Sequence, residues 1–305
     1  MQSAESRLRR PAPGWVLAAS LLGISFAGPL TKLSNAEPLA IAAWRLFFSL
    51  GIVGVALILT GEWRDWKQLT VRDTALAVAA GVSLALHFWA WNASVHLTTI
   101  AASVTLVSLQ PAFIVGISAV FLRESPTRLQ LAGILIAMLG AVVIAAPDWQ
   151  SSSSAGASNA MLGNMLATSA AVTAAIYYSI GRHLRARYGL WAYVGLAYGA
   201  CFLTLLLAAG ITSTHLAPQP PRELAIFALL AIGPMLLGHT GMNWALKYLP
   251  AYVVNLTVLG EPVGATLLGA LIPAIAQVPP VMTLIGGAIV LAGVVVAASG
   301  ARGSK

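Results

Sequence analysis

Charge is scarce in this chain: 9% of its 305 residues are Asp, Glu, Lys or Arg, against about 25% in an average soluble domain. With 58% of its residues hydrophobic, a water-soluble fold of this length could not cover its surface. Cysteine is nearly missing. Cys201 stands alone in an apolar run, which excludes an internal disulfide and a cysteine-built metal site. There is no GxxxxGK[ST] phosphate loop to couple work to nucleotide hydrolysis, and no HExxH or GxSxG motif to support hydrolytic chemistry. The expectation is a protein that is not an enzyme and uses neither cofactor nor metal. A membrane-embedded enzyme built on His87, His239 and Glu261 is the reading from a different class, and a chemical conversion by the purified protein would revive it.

What the chain has instead is a series of hydrophobic runs of some 20 residues from Trp15 to Ser299, each long enough to cross a hydrocarbon core about 30 Å thick. Their polar, proline and glycine boundaries predict helices near 15–34, 38–60, 73–95, 99–122, 128–146, 160–182, 190–211, 223–246, 250–272 and 279–299. The expected fold is therefore all-α and integral to the membrane, with ten transmembrane helices. Residues 147–159, with the run Ser151 to Ser154, read as a flexible linker between a first unit at 1–146 and a second at 160–305.

The net charge of +8 would suggest a nucleic-acid partner in a soluble protein. Here the basic residues sit singly or in small groups at helix ends, so no nucleic acid is expected and the lipid bilayer is the medium. Arg7, Arg9, Arg10, Arg64, Lys67, Arg72, Arg123, Arg128, Arg182, Arg185, Arg187, Lys247, Arg302 and Lys305 all fall on one side of a ten-helix chain. Only Lys32 and Arg222 fall on the other, and Arg45 lies inside a helix. Because cytoplasmic loops carry the excess of Lys and Arg, both termini are expected in the cytoplasm and the protein in the bacterial inner membrane. The basic start, first apolar run and Ser34-Asn35-Ala36 also resemble a cleavable signal peptide. Pro29 and Lys32 within the cleavage region, and the charge alternation of the later loops, favour an uncleaved first helix.

An internal repeat is visible. His87, Asn92 and Gln110-Pro111 stand against His239, Asn243 and Glu261-Pro262, and Gly133 and Gly140 against Gly286 and Gly293, at offsets of 151 to 153 residues. Five helices per half make the second half enter from the opposite side, giving an inverted repeat. Secondary transporters are often built this way, with the binding site between the halves.

These residues resemble the EamA type of the drug/metabolite transporter superfamily over nearly the whole chain. The resemblance rests on Pro38 followed by Arg45, Gln110-Pro111, Leu122-Arg123-Glu124, Gly133 and Gly140 in the first half. In the second it rests on Ala174 to Arg182, Glu261-Pro262-Val263, Gly286 and Gly293. The family usually has a Gly-Glu pair before the last helix, where this chain has Ile275-Ala276-Gln277, so Glu124 lacks its counterpart. Within the family the chain most resembles bacterial aromatic amino acid exporters. That resemblance implies a central cavity lined by the third, fourth, eighth and ninth helices, with the first, second, sixth and seventh around it. It makes amino acids the expected small-molecule cargo and alternating access the mechanism. Drugs, nucleotide sugars or lipids remain as other cargo. Transport would run by facilitated diffusion or proton exchange. The sequence does not fix the oligomeric state, and a monomer is compatible with it.

Candidate substrate-binding residues follow from polarity in apolar helices. Of nine acids only Glu261 lies within a span, where a carboxylate needs hydration, a partner or a proton. It is read as contacting a substrate amino group or taking up a proton, the alternative being a protonated, hydrogen-bonded glutamate beside the helix break made by Pro262. Arg45, about two turns inside its helix, is read either as a partner for a substrate carboxylate or Glu261, or as a structural lock. His87 and Trp91, four residues apart on one helical face, suit a cavity that stacks and hydrogen-bonds an amphipathic ligand, against a structural hydrogen bond for His87 and an interfacial belt for the tryptophans. Trp89 points away from that face. Asn92, Gln110, His239, Asn243 and Asn255 complete the candidates. Tyr177, Tyr178, Trp244 and Tyr248 read as interfacial belt residues.

Overall fold

The computed structural model describes residues 12–121, 127–150 and 155–300, and among them the regular elements are all helical. Leu122-Arg123-Glu124 and the run Ser151 to Ser154, both singled out above, lie outside the described residues. Eight helical stretches are long and apolar enough to cross a membrane: Pro13–Leu33, Pro38–Thr60, Val71–Leu97, Ile100–Ile117, Asn159–Arg185, Leu190–Thr212, Pro221–Ala245 and Ala251–Leu271. Two shorter apolar stretches, Leu131–Ile144 and Val281–Ala297, lie in further helices. The protein is a multi-pass membrane protein.

Only some of these stretches are single helices. The first divides at Phe26 into α1 (Pro13–Ser25) and α2 (Ala27–Leu33). Pro29 has no amide hydrogen to donate to the carbonyl one turn back, so the ladder is interrupted there. α3 (Pro38–Thr60) and α4 (Val71–Leu97) are continuous, and a 3-10 turn over Glu62–Gln68 joins them. Gly61 supplies the left-handed residue that ends α3, with φ of 71°. α4 opens on a capping box in which the Thr70 hydroxyl accepts from the Asp73 amide and the Asp73 carboxylate accepts from the Thr70 amide.

The next stretch breaks at Ser108-Leu109 into α5 (Ile100–Val107) and α6 (Gln110–Phe121). α7 (Arg128–Gln150), α8 (Ala155–Arg185) and α9 (Leu190–Thr212) follow without breaks. The helical assignment of α7 and α8 thus extends into both ends of the expected linker.

The stretch after α9 begins as α10 (Pro221–Leu230), widens into a π-helix over Ala231–Thr240 around Pro234, and ends as α11 (Gly241–Ala245). A proline that cannot donate to its preceding turn favours such widening, and the Thr240 hydroxyl donating 3.2 Å to the Met235 carbonyl, five residues back, accompanies it. α12 (Ala251–Asn255), a 3-10 segment over Leu256–Gly260 and α13 (Glu261–Leu271) form another broken stretch, and α14 (Val281–Gly300) closes the described chain. Gln110-Pro111 and Glu261-Pro262 therefore hold the same local position. Each opens a helix after a break within its stretch.

α7 and α14 meet along their glycines. A Cβ on Gly140 would fall 2.6 Å from the Val290 amide nitrogen and 2.7 Å from the Gly286 carbonyl oxygen, and Gly133 is confronted in the same way by Gly293 and Ala297. Since 133 faces 293 while 140 faces 286, the two helices run antiparallel, backbone against backbone. The largest apolar core gathers Leu46, Leu84, Phe88, Tyr177, Tyr178, Tyr198 and Met235 from α3, α4, α8, α9 and the π segment.

Candidate substrate site

At the centre of the bundle is a small cavity with a volume of about 30 Å³ for water-sized occupants, room for about two water molecules. Its walls come from seven stretches of helix. Ile24 and Ala27 enter from α1 and α2, Arg45 from α3, His87, Phe88 and Trp91 from α4, and Val107 and Gln110 from α5 and α6. Tyr178 enters from α8, His239 and Met242 from the π segment and α11, and Val258 and Glu261 from the last break. The helices expected to line it, α4, the α5–α6 stretch, the stretch from α10 to α11 and the stretch from α12 to α13, all do so, and α1, α2, α3 and α8 also contribute directly.

Arg45 is 1% exposed. Its guanidinium lies 4.2 Å from the centre of the Phe88 ring, and Nη2 stands 3.9 Å from the Met235 sulfur. Nε and Nη1 have no hydrogen-bond partner in the protein. A cation-π contact in a desolvated site contributes about 2 kcal/mol, which offsets only part of the cost of holding a charge there. Glu261 lines the same cavity and lies within electrostatic reach of the guanidinium, but the two form no ion pair within 4.0 Å. As the first residue of α13, Glu261 places its carboxylate by a helix N-terminus, where the peptide dipoles favour negative charge. The break before Pro262 therefore does more than bend the span.

Two more polar atoms of this wall are buried without partners, the Trp91 indole Nε1 and the Gln110 Oε1. Donors and acceptors thus face one space together. The His87 Nδ1 donates to the Ala170 carbonyl at 2.9 Å in a neutral ring, which leaves Nε2 as an acceptor. His239 stands edge-on to both His87 and Phe88, with ring centres 5.9 and 5.2 Å apart.

Six of the nine residues nominated from the sequence, Arg45, His87, Trp91, Gln110, His239 and Glu261, are brought together here. The three asparagines stand behind the wall. The Asn92 amide donates to the Pro38 carbonyl at 3.2 Å, Asn243 to the Tyr177 hydroxyl at 2.6 Å and the His239 carbonyl at 2.8 Å, and Asn255 to the Ala251 carbonyl at 2.9 Å. Each amide nitrogen holds helix backbone or a neighbouring phenol, and none of the three residues lines the cavity.

Tyr177 and Tyr178 are corrected, being 0% and 1% exposed and so no part of an interfacial belt. Tyr178 lines the cavity, and its hydroxyl reaches His239 and the Met242 sulfur. Trp89 is 41% exposed, facing outward as expected. Phe88 and Met242 were not foreseen. The departure at Ile275-Ala276-Gln277 acquires a role too: the Gln277 Oε1 accepts from the Ile100 amide at 2.8 Å and so caps α5. Among the described residues there is no cluster of three His, Cys, Asp or Glu suited to a metal ion.

The sequence model of the EamA-like transporter family matches residues 13–146 and 161–299. An "Uncharacterized transporter" of Archaeoglobus fulgidus is 28% identical over 285 residues, covering 92% of this chain and 96% of that protein. A protein of Streptantibioticus cattleyicolor named "Probable terminal-alkyne amino-acid exporter" is 28% identical over 256 residues, 80% of each chain. Among solved structures, one described only as the crystal structure of a protein superposes with a TM-score of 0.64 at 19% identity, covering 93% of this chain and 96% of that one. That likeness concerns the fold alone.

Proposed function

Because the chain belongs to the EamA-like transporter family, we propose that it is a secondary exporter of amino acids in the bacterial inner membrane. Its cargo includes aromatic and other neutral amino acids, moved by alternating access at the central cavity. The observation that carries this reading is the placement of Arg45 and Glu261: a guanidinium and a carboxyl group line one cavity and form no ion pair with each other. An amino acid loses most of its hydration inside a membrane and needs a cation for its carboxylate, an anion for its ammonium and an adaptable wall for its side chain. Arg45, Glu261 and the Phe88, Trp91 and Tyr178 rings match those needs.

The reading is supported by the exporter name of the Streptantibioticus relative. A nucleotide sugar would need several cations for its diphosphate, and among the described residues Arg45 is the only arginine or lysine lining this cavity. At about 30 Å³ the cavity admits an amino acid only after the surrounding helices separate, as alternating access requires.

The full architecture belongs to this proposal: ten spans, halves at 1–146 and 160–305 joined through 147–159, both termini in the cytoplasm, and the halves related by inversion. It is supported by the antiparallel glycine contact of α7 with α14 and by the matching breaks before Pro111 and Pro262. The deciding experiment is uptake of a panel of amino acids by proteoliposomes, with and without a pH gradient. Uptake of phenylalanine and tryptophan above protein-free liposomes is expected. No uptake of any amino acid, at a protein density verified in the same vesicles, would overturn the cargo.

A further inference from the structure

Two acids far from the cavity occupy corresponding places. Asp73 is the third residue of α4, and Glu223 is the third residue of α10. Both are nearly buried, at 2% and 5% exposure. Each leaves its own half and holds a loop of the other. The Asp73 carboxylate accepts from the Tyr188 hydroxyl at 2.7 Å and from the Arg187 guanidinium at 3.1 Å, in the loop between α8 and α9. The Glu223 carboxylate accepts from the Ser34 hydroxyl at 2.5 Å and from the Asn35 amide at 3.3 Å, in the loop between α2 and α3.

The correspondence extends to numbering: the acids are 150 residues apart, and Arg187 and Tyr188 each follow Ser34 and Asn35 by 153. The two contacts lie at opposite ends of α3. Asn35 precedes its first residue, Pro38, by three positions, while the Asp73 contact adjoins the turn that follows its last, Thr60. The 23 residues of α3 rise about 34 Å, a membrane thickness.

Neighbouring groups reinforce each contact. On the Asp73 side, Glu62 accepts from the Trp191 amide at 2.6 Å and Asp65 from the Gly189 amide at 2.8 Å. Carboxylates at the start of α9 are favoured there by its unpaired amides and its dipole. A side chain on Gly189 would strike the Glu62 carboxylate. On the Glu223 side, Arg222 bonds Glu223 at 2.8 Å and also reaches the Leu33 carbonyl at 2.8 Å.

We propose that Asp73 and Glu223 are paired latches, one at each membrane face, whose alternate release decides which side of the cavity opens. The inference rests on the alternating-access reading above but not on its cargo. Each acid crosses from one half to the other, so its bonds break whenever the halves separate at that face. With both closed the cavity measures about 30 Å³.

The test is accessibility. Val107 lines the cavity and is 2% exposed, so Val107→Cys in a Cys201→Ala background reports on opening. An impermeant maleimide is applied to sealed vesicles of each orientation. Asp73→Asn should speed labelling about ten-fold from the face that carries Arg64, and Glu223→Gln should do the same from the face that carries His215.

Since Asp73 also caps α4, Tyr188→Phe and Ser34→Ala provide the milder pair. They remove the donor and leave each carboxylate, and they should shift labelling in the same opposed directions. Variants that change access from the same face, or wild-type labelling in all four, would overturn the proposal. Because no substrate enters this assay, opposed shifts in a protein that takes up no amino acid would retain the latches and dismiss the cargo.

Discussion

The Tyr178 hydroxyl lies 2.9 Å from His239 Nδ1, and the two rings stack with centres 6.2 Å apart at 8° to one another. This bond ties α8 to the π segment and fixes the orientation of the imidazole facing the cavity. Tyr178→Phe removes the bond and keeps the ring. If His239 orients substrate, uptake should fall about five-fold, the worth of one buried hydrogen bond of about 1 kcal/mol, with little change in thermal stability. Unchanged uptake would make the pair purely architectural.

Glu261→Gln keeps the volume of the side chain and removes the charge. Uptake of every amino acid should fall by at least about ten-fold if the carboxylate receives the substrate ammonium or a coupling proton, since a charged hydrogen bond in a desolvated site contributes about 1.5–3 kcal/mol. Measuring uptake with and without a pH gradient separates the two roles. A variant that loses only the stimulation by the gradient would identify Glu261 as a proton carrier.

Arg45→Lys tests whether the cavity needs a fork or only a charge. The planar guanidinium can meet a carboxylate through two parallel bonds and a lysine cannot, so affinity for phenylalanine should weaken about ten-fold while methyl phenylalaninate, lacking a carboxylate, is affected less. Equal losses for both ligands would assign Arg45 a structural role instead.

Trp91 is 3% exposed and forms part of the aromatic wall with Phe88 and Tyr178. Trp91→Ala should lower uptake of phenylalanine and tryptophan more than that of threonine, by a factor of about three to ten. Equal loss for all three would show that the indole shapes the bundle and does not contact the side chain.

Orientation is decided in a Cys201→Ala background, Cys201 being fully buried. A cysteine at the exposed position His215 should react with an impermeant reagent on intact cells, and one at the exposed position Arg64 only after permeabilisation. The reverse pattern would invert the proposed topology.

Much of this architecture can be read from apolar runs alone, because a stretch such as Pro38–Thr60 has one physical destination. Charge within such runs was equally legible: Arg45 and Glu261 stand out as ionisable residues inside otherwise apolar runs. The breaks were less so. Pro29, Pro234 and Pro262 mark where a ladder fails, but whether the chain answers with a turn, a π segment or a 3-10 segment depends on neighbours far away in sequence.

The placement of the asparagines was less legible for a related reason. Periodicity fixes the face a residue occupies, while an amide takes the nearest carbonyl or phenol it meets there, and Asn92 found that of Pro38, 54 residues away. Tyr178 was hidden by its position near the end of a span. α8 continues to Arg185, so a ring that resembles a belt residue in sequence lies inside the bundle.

Gly140→Leu should lower the melting temperature in detergent by about 5 °C or more, since backbone on the facing helix cannot yield to a new side chain. Gly199→Ala, with open space around it, is the control and should not. The same contact constrains how the two parts of the chain can change over generations. Gly133 confronts Gly293 and Gly140 confronts Gly286 across one seam, so enlarging any of the four is resisted by the other part's main chain and no compensating side-chain change is available. A chimera that exchanges one part for that of a relative should therefore assemble only if the incoming part brings small residues to this seam in the same register.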